Sequence, residues 1–219
     1  PYKVLSAIQK YAYRRVDRII TISEDMKDQL RTLFERMQSN AILRLYLDKR
    51  EISRELESYM RELASLSDKL TVDVADANSS SDVAPCVKLC HADGTETGLA
   101  FHGVPGGHEF TSFVLGIYNA IGPGQPMDAQ AREKAKAISK PTDIKVFVSL
   151  SCTMCPDTVA AAQQIAASNP NVTAEIYDVH HFEKLKKQYN VMSVPCILIN
   201  DAEVSFGKKN TDKILELIG

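Results

Sequence analysis

A repeated run around a proline constrains the fold of this chain more than any other feature. The run Ala84-Pro85-Cys86-Val87-Lys88-Leu89 matches Val194-Pro195-Cys196-Ile197-Leu198-Ile199, about 110 residues later. Each run is followed by a turn, a short strand-like stretch and a helical pattern. A repeat this long is typical of duplicated domains, because solenoid repeats are much shorter. The sequence therefore predicts two domains built on one fold.

Hydrophobic periodicity and turn signals predict the same order of elements in both halves. In the first half we predict a helix after the N-cap Ser23, a helix at 51–67 between strands at 41–47 and 70–75, strands at 83–90 and 98–101, and a helix at 106–122. In the second half we predict helices at 128–139, from the cysteines to 168, at 181–189 and at 211–218, and strands at 144–150, 172–178, 194–199 and 203–206. Before both halves, 2–15 predicts a helix and 18–22 a short strand.

Two cysteines lie at a strand-to-helix junction in the second half. Cys152 and Cys155 follow the apolar run 144–150 and precede the alanine-rich run 159–167. There, backbone N–H groups and the helix dipole stabilise a thiolate at the first position, and one helical turn brings the second sulfur over it. The pattern predicts that Cys152 attacks a disulfide and that Cys155 resolves the product.

The composition limits the classes of partner. With 26 basic and 28 acidic residues, the net charge of -2 gives no general reason to expect nucleic acid or an anionic membrane. No apolar run approaches the roughly 20 residues of a spanning helix, and the N-terminus lacks a signal-peptide pattern, so a cytoplasmic protein is predicted. Five cysteines without a dense framework favour working or free thiols over structural bridges.

A metal site is the main alternative to redox chemistry for the two cysteines. Cys196 follows a proline, and His180 or His181 would be a further ligand. Structural zinc usually shows a second ligand pair at short spacing, so we predict no metal site. Cys196 is expected to be a buried small side chain and the histidines to be solvated. Cys86 and Cys90 are expected to be core thiols, because positions four apart on a strand are about 13 Å apart.

Three motifs resemble those of a known family. They are Leu-Ser-Cys-Thr-Met-Cys-Pro-Asp at 150–157, Asn-Val-Met-Ser-Val-Pro at 190–195 and Gly-His-Glu-Phe-Thr-Ser at 107–112. Together with the order of elements, they closely resemble the N-terminal domain of the flavoprotein component of alkyl hydroperoxide reductase, from about Met26 to the C-terminal end. The resemblance implies an α/β protein with two tandem thioredoxin-like folds packed as one unit, of which only the second carries a Cys-x-x-Cys.

The repeat and the resemblance together predict a division of the chain, and the resemblance leaves residues 1–22 unexplained. Residues 1–22 are an N-terminal extension of unknown role, 23–124 a thioredoxin-like fold without a dithiol, and 125–219 a thioredoxin- or glutaredoxin-like fold with the redox dithiol. The first half has Asp48-Lys49-Arg50-Glu51 where the second has its cysteines. The first half is therefore not expected to perform the same chemistry.

In the family it resembles, this domain relays electrons from a thioredoxin-reductase-like flavoprotein module to the disulfide of a peroxiredoxin. The resemblance thus implies a thiol-disulfide oxidoreductase with a peroxiredoxin partner. FAD and NAD(P)H are implied in a partner module and no cofactor in this chain, which lacks a Gly-x-Gly-x-x-Gly motif. The alternatives are a free-standing protein disulfide oxidoreductase of general specificity and a metal-binding or adaptor module. The sequence leaves open whether the chain forms a homodimer.

Glu109 is the further candidate residue that the resemblance implies. It would reach from the first fold to the thiols of the second, where a carboxylate could accept a proton or tune a thiol pKa. The alternative is a first-turn glutamate that only stabilises its own helix. His108 beside it is expected to be structural.

A substrate groove is expected around the dithiol. Thr153 and Met154 lie between the cysteines, and Pro195 is expected to be cis. A cis bond would turn the backbone of Val194 outward, so that it can pair with an extended substrate strand. For Pro85, which lacks a dithiol neighbour, a plain proline at the start of a strand is nearly as good an interpretation.

Overall fold

The structure is a computed structural model that describes residues 23–76, 84–202 and 204–219. The helix predicted at 2–15 and the strand predicted at 18–22 lie outside the described residues. So do residues 77–83 and residue 203, the first position of the strand predicted at 203–206.

The described elements follow the predicted order in both halves. The first half contains α1 (Glu24–Glu35), β1 (Ala41–Tyr46), α2 (Glu51–Ala64), β2 (Leu70–Val74), β3 (Cys86–His91), β4 (Glu96–His102) and α3 (Glu109–Ile121). The second half contains α4 (Ala129–Lys136), β5 (Thr142–Val148), α5 (Cys155–Ser168), β6 (Val172–Asp178), α6 (Glu183–Gln188), β7 (Cys196–Ile199), β8 (Ser205–Phe206) and α7 (Thr211–Ile218).

Capping residues and prolines explain where several elements begin. The Ser23 hydroxyl accepts a hydrogen bond from the N–H of Met26, which confirms Ser23 as the N-cap of α1. Asp128 caps α4 in the same way, so this helix begins one residue later than predicted. The strands predicted from 83 and 194 begin only at Cys86 and Cys196. A proline before each of them has no N–H to donate to a sheet.

The eight strands of the described residues form one sheet in the order β2-β1-β3-β4-β6-β5-β7-β8. Each half contributes four neighbouring strands with the same internal order. The halves join where β4 pairs in parallel with β6, with Leu99 opposite Ala174 and His102 opposite Tyr177. This arrangement confirms two thioredoxin-like folds packed as one unit. The predicted division after residue 124 falls between α3 and α4.

Helix packing closes the junction between the halves on one face of the sheet. Helix α3 of the first half packs against α5 of the second. Gly116 on α3 permits this approach, because a Cβ there would lie 2.9 Å from the side chain of Gln163. One hydrophobic core therefore runs through both halves, and it includes Phe101, Phe113 and Cys155.

The strand junction leads to a prediction about stability. Gly98 has a φ of +84°, and a Cβ added there would lie 2.8 Å from the carbonyl oxygen of Val172 on β6. Gly207 has a similar φ of +81° but has nothing within 4 Å of such a Cβ. Gly98→Ala is therefore expected to lower the free energy of unfolding by about 2 kcal/mol more than Gly207→Ala.

Guanidinium denaturation of the two variants and the parent chain measures this difference. Both substituted glycines have a left-handed backbone conformation, so the strain of adding a Cβ there is similar. The difference between the two variants therefore reports the contact between the two halves. Equal destabilisation by the two substitutions would contradict the close approach of β4 to β6.

Candidate active site

The dithiol lies at the N-terminal end of α5, where β5 ends. Cys152 and Cys155 are joined by a disulfide with their Cα atoms 5.5 Å apart, a normal separation. Cys152 is partly exposed, whereas Cys155 has no exposed surface and belongs to the core. The N–H of Cys155 points at the Sγ of Cys152 at 3.2 Å. The geometry fits a nucleophile at Cys152, with a backbone donor to stabilise its thiolate.

The loop before β7 forms the other wall of the site. The Val194–Pro195 peptide bond is cis, which confirms that prediction, and the Val194 carbonyl oxygen lies 4.0 Å from the Sγ of Cys152. Thr153 and Met154 are exposed between the two cysteines. The residues predicted for a substrate groove are therefore brought together beside the disulfide.

The bond between Ala84 and Pro85 in the first half is also cis. The sequence had left this proline open between two interpretations. The structure thus repeats the proline geometry of the second half at a position that has no dithiol.

The start of α3 is held against the loop that leads to Cys152. The N–H of His108 donates to the carbonyl of Leu150 at 3.1 Å. Gly107, with a φ of +54°, lies so close that a Cβ would be 2.6 Å from the same carbonyl oxygen. Only glycine fits this contact without moving the loop. The contact fixes Glu109, the first residue of α3, relative to the dithiol loop of the second fold.

Glu109 is a buried carboxyl group with few partners. Its side chain has no exposed surface, and Ser112 donates a hydrogen bond to Oε2. Its Oε1 has no hydrogen-bond partner among the described residues. Burial, together with the negative charges of Asp178 and Asp157, raises the pKa of Glu109 to about 8 against the opposing hydrogen bond from Ser112. The group is therefore mostly protonated at neutral pH, with a minor ionised fraction.

Asp178, which the sequence did not single out, is a second buried acid at this end of the sheet. Asp178 is the last residue of β6 and lies opposite Val148 on β5. Gly103, which follows β4, lies close to its side chain. Asp178 accepts a hydrogen bond from the N–H of His180, whose ring Nδ1 lies 3.0 Å from the same oxygen. His180 is exposed, as predicted, and His181 is half-buried with its Nε2 3.8 Å from Asp178.

An arginine lies at the position in the first half that corresponds to the dithiol. Arg50 donates to the carbonyls of Ala84 and His181, and its guanidinium lies over the ring of Phe182 at 5.9 Å. The Nε of Arg50 donates a hydrogen bond to the carboxylate of Asp48. The first half thus fills its equivalent groove with a cation that contacts both halves. No sequence signal identified this role.

The three remaining cysteines are buried. Cys86 and Cys90 on β3 have no exposed surface, as predicted for core thiols. Cys196 packs with Phe147 and Tyr177, and burial raises the pKa of its thiol to about 11. Within residues 23–76, 84–202 and 204–219, no group of three or more His, Cys, Asp or Glu side chains could hold a metal ion. The metal-binding alternative therefore gains no ligand set from this part of the chain.

Fold and dithiol together define a thiol-disulfide oxidoreductase of the thioredoxin fold. A family model described as a thioredoxin domain matches residues 142–219. The N-terminal domain of the alkylhydroperoxide reductase AhpF from Enterococcus faecalis is 38% identical, with a TM-score of 0.85 over 91% of this chain and 100% of that domain. The chain belongs to the family of these N-terminal domains.

Full-length relatives extend well beyond the matched region. The alkyl hydroperoxide reductase AhpF from Pseudomonas aeruginosa is 32% identical over 90% of this chain but only 37% of its own length. The chain thus spans a little over a third of the curated relatives it matches. A protein disulfide oxidoreductase from Aeropyrum pernix, at 23% identity and a TM-score of 0.78, covers 91% of this chain and 93% of its own and shares the fold. No helix of the described part could cross a membrane.

Proposed function

We propose that this chain passes two electrons from a flavin-containing reductase module to the disulfide of a peroxiredoxin and so supports hydroperoxide reduction. One observation carries the proposal: a partly exposed Cys152 lies over a buried Cys155 in a chain of the AhpF family. FAD and NAD(P)H belong to the reductase module in this proposal, and the chain itself acts through its thiols alone.

The reaction proceeds through two exchange steps. The Cys152 thiolate attacks the partner's disulfide and forms a mixed disulfide, while the partner's other sulfur leaves as a thiolate and takes up a proton. The Cys155 thiolate then attacks Cys152, which forms the intramolecular disulfide and releases the partner's second thiolate. The partner gains two electrons and this chain loses them. The Cys155 N–H, which points at the Cys152 sulfur in the oxidised form, favours the attacking thiolate.

Glu109 provides a proton acceptor for the second step. Cys155 has no exposed surface, so its proton must leave through the protein interior. With a pKa of about 8, the carboxylate of Glu109 is a stronger base than an ordinary carboxylate, whose pKa is about 4.3, and so is better suited to accept a thiol proton. In this proposal the ionised fraction of Glu109 takes the proton from Cys155 and returns it when the dithiol is reduced again.

The groove beside the disulfide positions the partner. The Val194 carbonyl, 4.0 Å from the Cys152 sulfur, is available to an extended segment that carries the partner's disulfide. Pro195 fixes this loop, and Thr153 and Met154 form the facing surface. A partner bound in this way presents one of its sulfurs to Cys152.

Stopped-flow mixing of the reduced chain with an oxidised two-cysteine peroxiredoxin tests the proposal. We expect reduction of the peroxiredoxin to be about 100-fold faster than reduction of insulin, because a dedicated relay recognises its partner beyond the disulfide. Equal rates would favour a general protein disulfide oxidoreductase. Reduction of insulin alone would contradict the peroxiredoxin assignment.

A further inference from the structure

Two exposed methionines flank the disulfide. Among the described residues the exposed large apolar side chains are Val74, Met154, Met192 and Leu217. Two of these four belong to the loops of the dithiol site. Met192 is the most exposed of all, at 74%, and Met154 is exposed at 52%. The sequence predicted Met154 as part of the groove but gave no role to Met192.

The other methionines of this chain are not exposed in this way. All six methionines lie in the described residues. Met26, Met37 and Met60 are buried in the core, and Met127 is half-buried. Exposed apolar surface forgoes about 25 cal/mol per Å² of burial, so a pair of such side chains at a reactive site marks a contact surface.

Both methionines lie within reach of any partner sulfur that reacts with Cys152. Met154 is two residues beyond Cys152, and Met192 is two residues before Val194, whose carbonyl oxygen is 4.0 Å from the Cys152 sulfur. Two residues of chain span at most about 7 Å. A mixed disulfide brings the partner's sulfur to about 2 Å from Cys152, so the residues beside the partner's cysteine come close to both loops.

From this placement we propose that Met154 and Met192 form a docking pair that binds the apolar side chain next to the partner's reactive cysteine. The inference rests on the proposed function, in which the partner is a peroxiredoxin. Thioether side chains are flexible and polarisable and make favourable contacts with aromatic rings, so an aromatic neighbour of the cysteine fits best. Asp157, a charged residue on the same helix start, forms an ion pair with Lys208, so its charge is partly balanced within the chain.

The docking pair can be tested with a glutamine double variant. Met154→Gln with Met192→Gln keeps the side-chain length but makes both tips polar, and Met154→Leu with Met192→Leu keeps them apolar. For each reduced chain, the second-order rate constant is measured with oxidised two-cysteine peroxiredoxin and with the small disulfide DTNB. The ratio of the two rate constants separates docking from the reactivity of the dithiol.

We expect the glutamine variant to lower this ratio by about tenfold, the result of losing two apolar contacts of modest size. The leucine variant is expected to restore at least half of the ratio. Leu217→Gln, on α7, is the control for an exposed apolar side chain away from the loops. An unchanged ratio in the glutamine variant, or an equal loss in Leu217→Gln, would overturn the proposal.

Two synthetic peptide disulfides keep this test separate from the proposed function. They differ only in the residue beside the cysteine, which is phenylalanine in one and serine in the other. The parent chain is expected to reduce the phenylalanine peptide about tenfold faster, and the glutamine variant to lose this preference. If the chain reduces both peptides but no peroxiredoxin, the proposed function fails. The preference for the phenylalanine peptide still shows whether Met154 and Met192 bind an apolar neighbour of the cysteine. A parent chain without the preference would refute the pair.

Discussion

Replacing Cys152 with serine is expected to slow the reduction of every protein disulfide by about 1,000-fold or more. Cys152 is the cysteine with exposed surface, and the backbone N–H of Cys155 points at its sulfur. A serine hydroxyl is too weak a nucleophile to replace the thiolate. Stopped-flow reduction of an oxidised peroxiredoxin and of insulin by the reduced variant measures the loss.

Cys155→Ser is the matched control for this substitution. Because it keeps Cys152, it should attack a partner disulfide once and then stop at the mixed disulfide, with a stoichiometric burst of one partner thiol. If Cys155→Ser were inert and Cys152→Ser reacted, the roles of the two sulfurs would be reversed. That outcome would contradict the assignment based on their exposure.

Replacing Glu109 with glutamine is expected to change how stability depends on pH. The ordinary pKa of this carboxyl group is 4.5, and its pKa is about 8 in the folded chain. Between these values the unfolded chain has released the proton and the folded chain still holds it. The free energy of unfolding of the parent chain therefore falls by about 1.4 kcal/mol per pH unit from this group. The penalty is absent below pH 4.5 and complete above pH 8.

Glutamine carries no proton to release, so the variant lacks this contribution. The difference in unfolding free energy, variant minus parent, should grow by on the order of 4 kcal/mol between pH 4.5 and 8.5. Guanidinium denaturation of the oxidised chains at several pH values measures it. His108, whose pKa is lowered by burial, titrates in both chains and so cancels from the difference.

Glu55→Gln provides the control for the removal of a carboxylate. Glu55 lies exposed on α2, so its removal should leave the pH dependence of stability almost unchanged. A difference between Glu109→Gln and the parent that stays flat over this pH range would show that Glu109 ionises normally. Its proposed role as the acceptor for the Cys155 proton would then be untenable.

Local patterns in the sequence were sufficient for the dithiol and for its fold. Cys152 and Cys155 were placed by a strand before them and a helix after them, and the duplicated proline run predicted two similar halves. These features depend on neighbours in the chain, so they can be read without coordinates. Burial of Glu109 is consistent with the role implied by family resemblance, although the role itself stays a prediction.

These local patterns could not predict contacts between segments that are distant in the sequence. Arg50 meets His181 only because β4 pairs with β6, and Asp178 becomes buried because three strands end at the same edge of the sheet. Exposure of Met192 likewise depends on how its loop folds over the site. Element ends shifted by a few residues where a cap or a proline decided them.

Identification of the mixed disulfide by mass spectrometry tests the central claim most directly. Reduced Cys155→Ser protein is mixed with an oxidised two-cysteine peroxiredoxin, free thiols are alkylated, and the cross-linked peptides are sequenced. We predict one adduct that joins Cys152 to a redox cysteine of the peroxiredoxin. The absence of such an adduct, or a bond through Cys86, Cys90 or Cys196 instead, would contradict a relay through this dithiol.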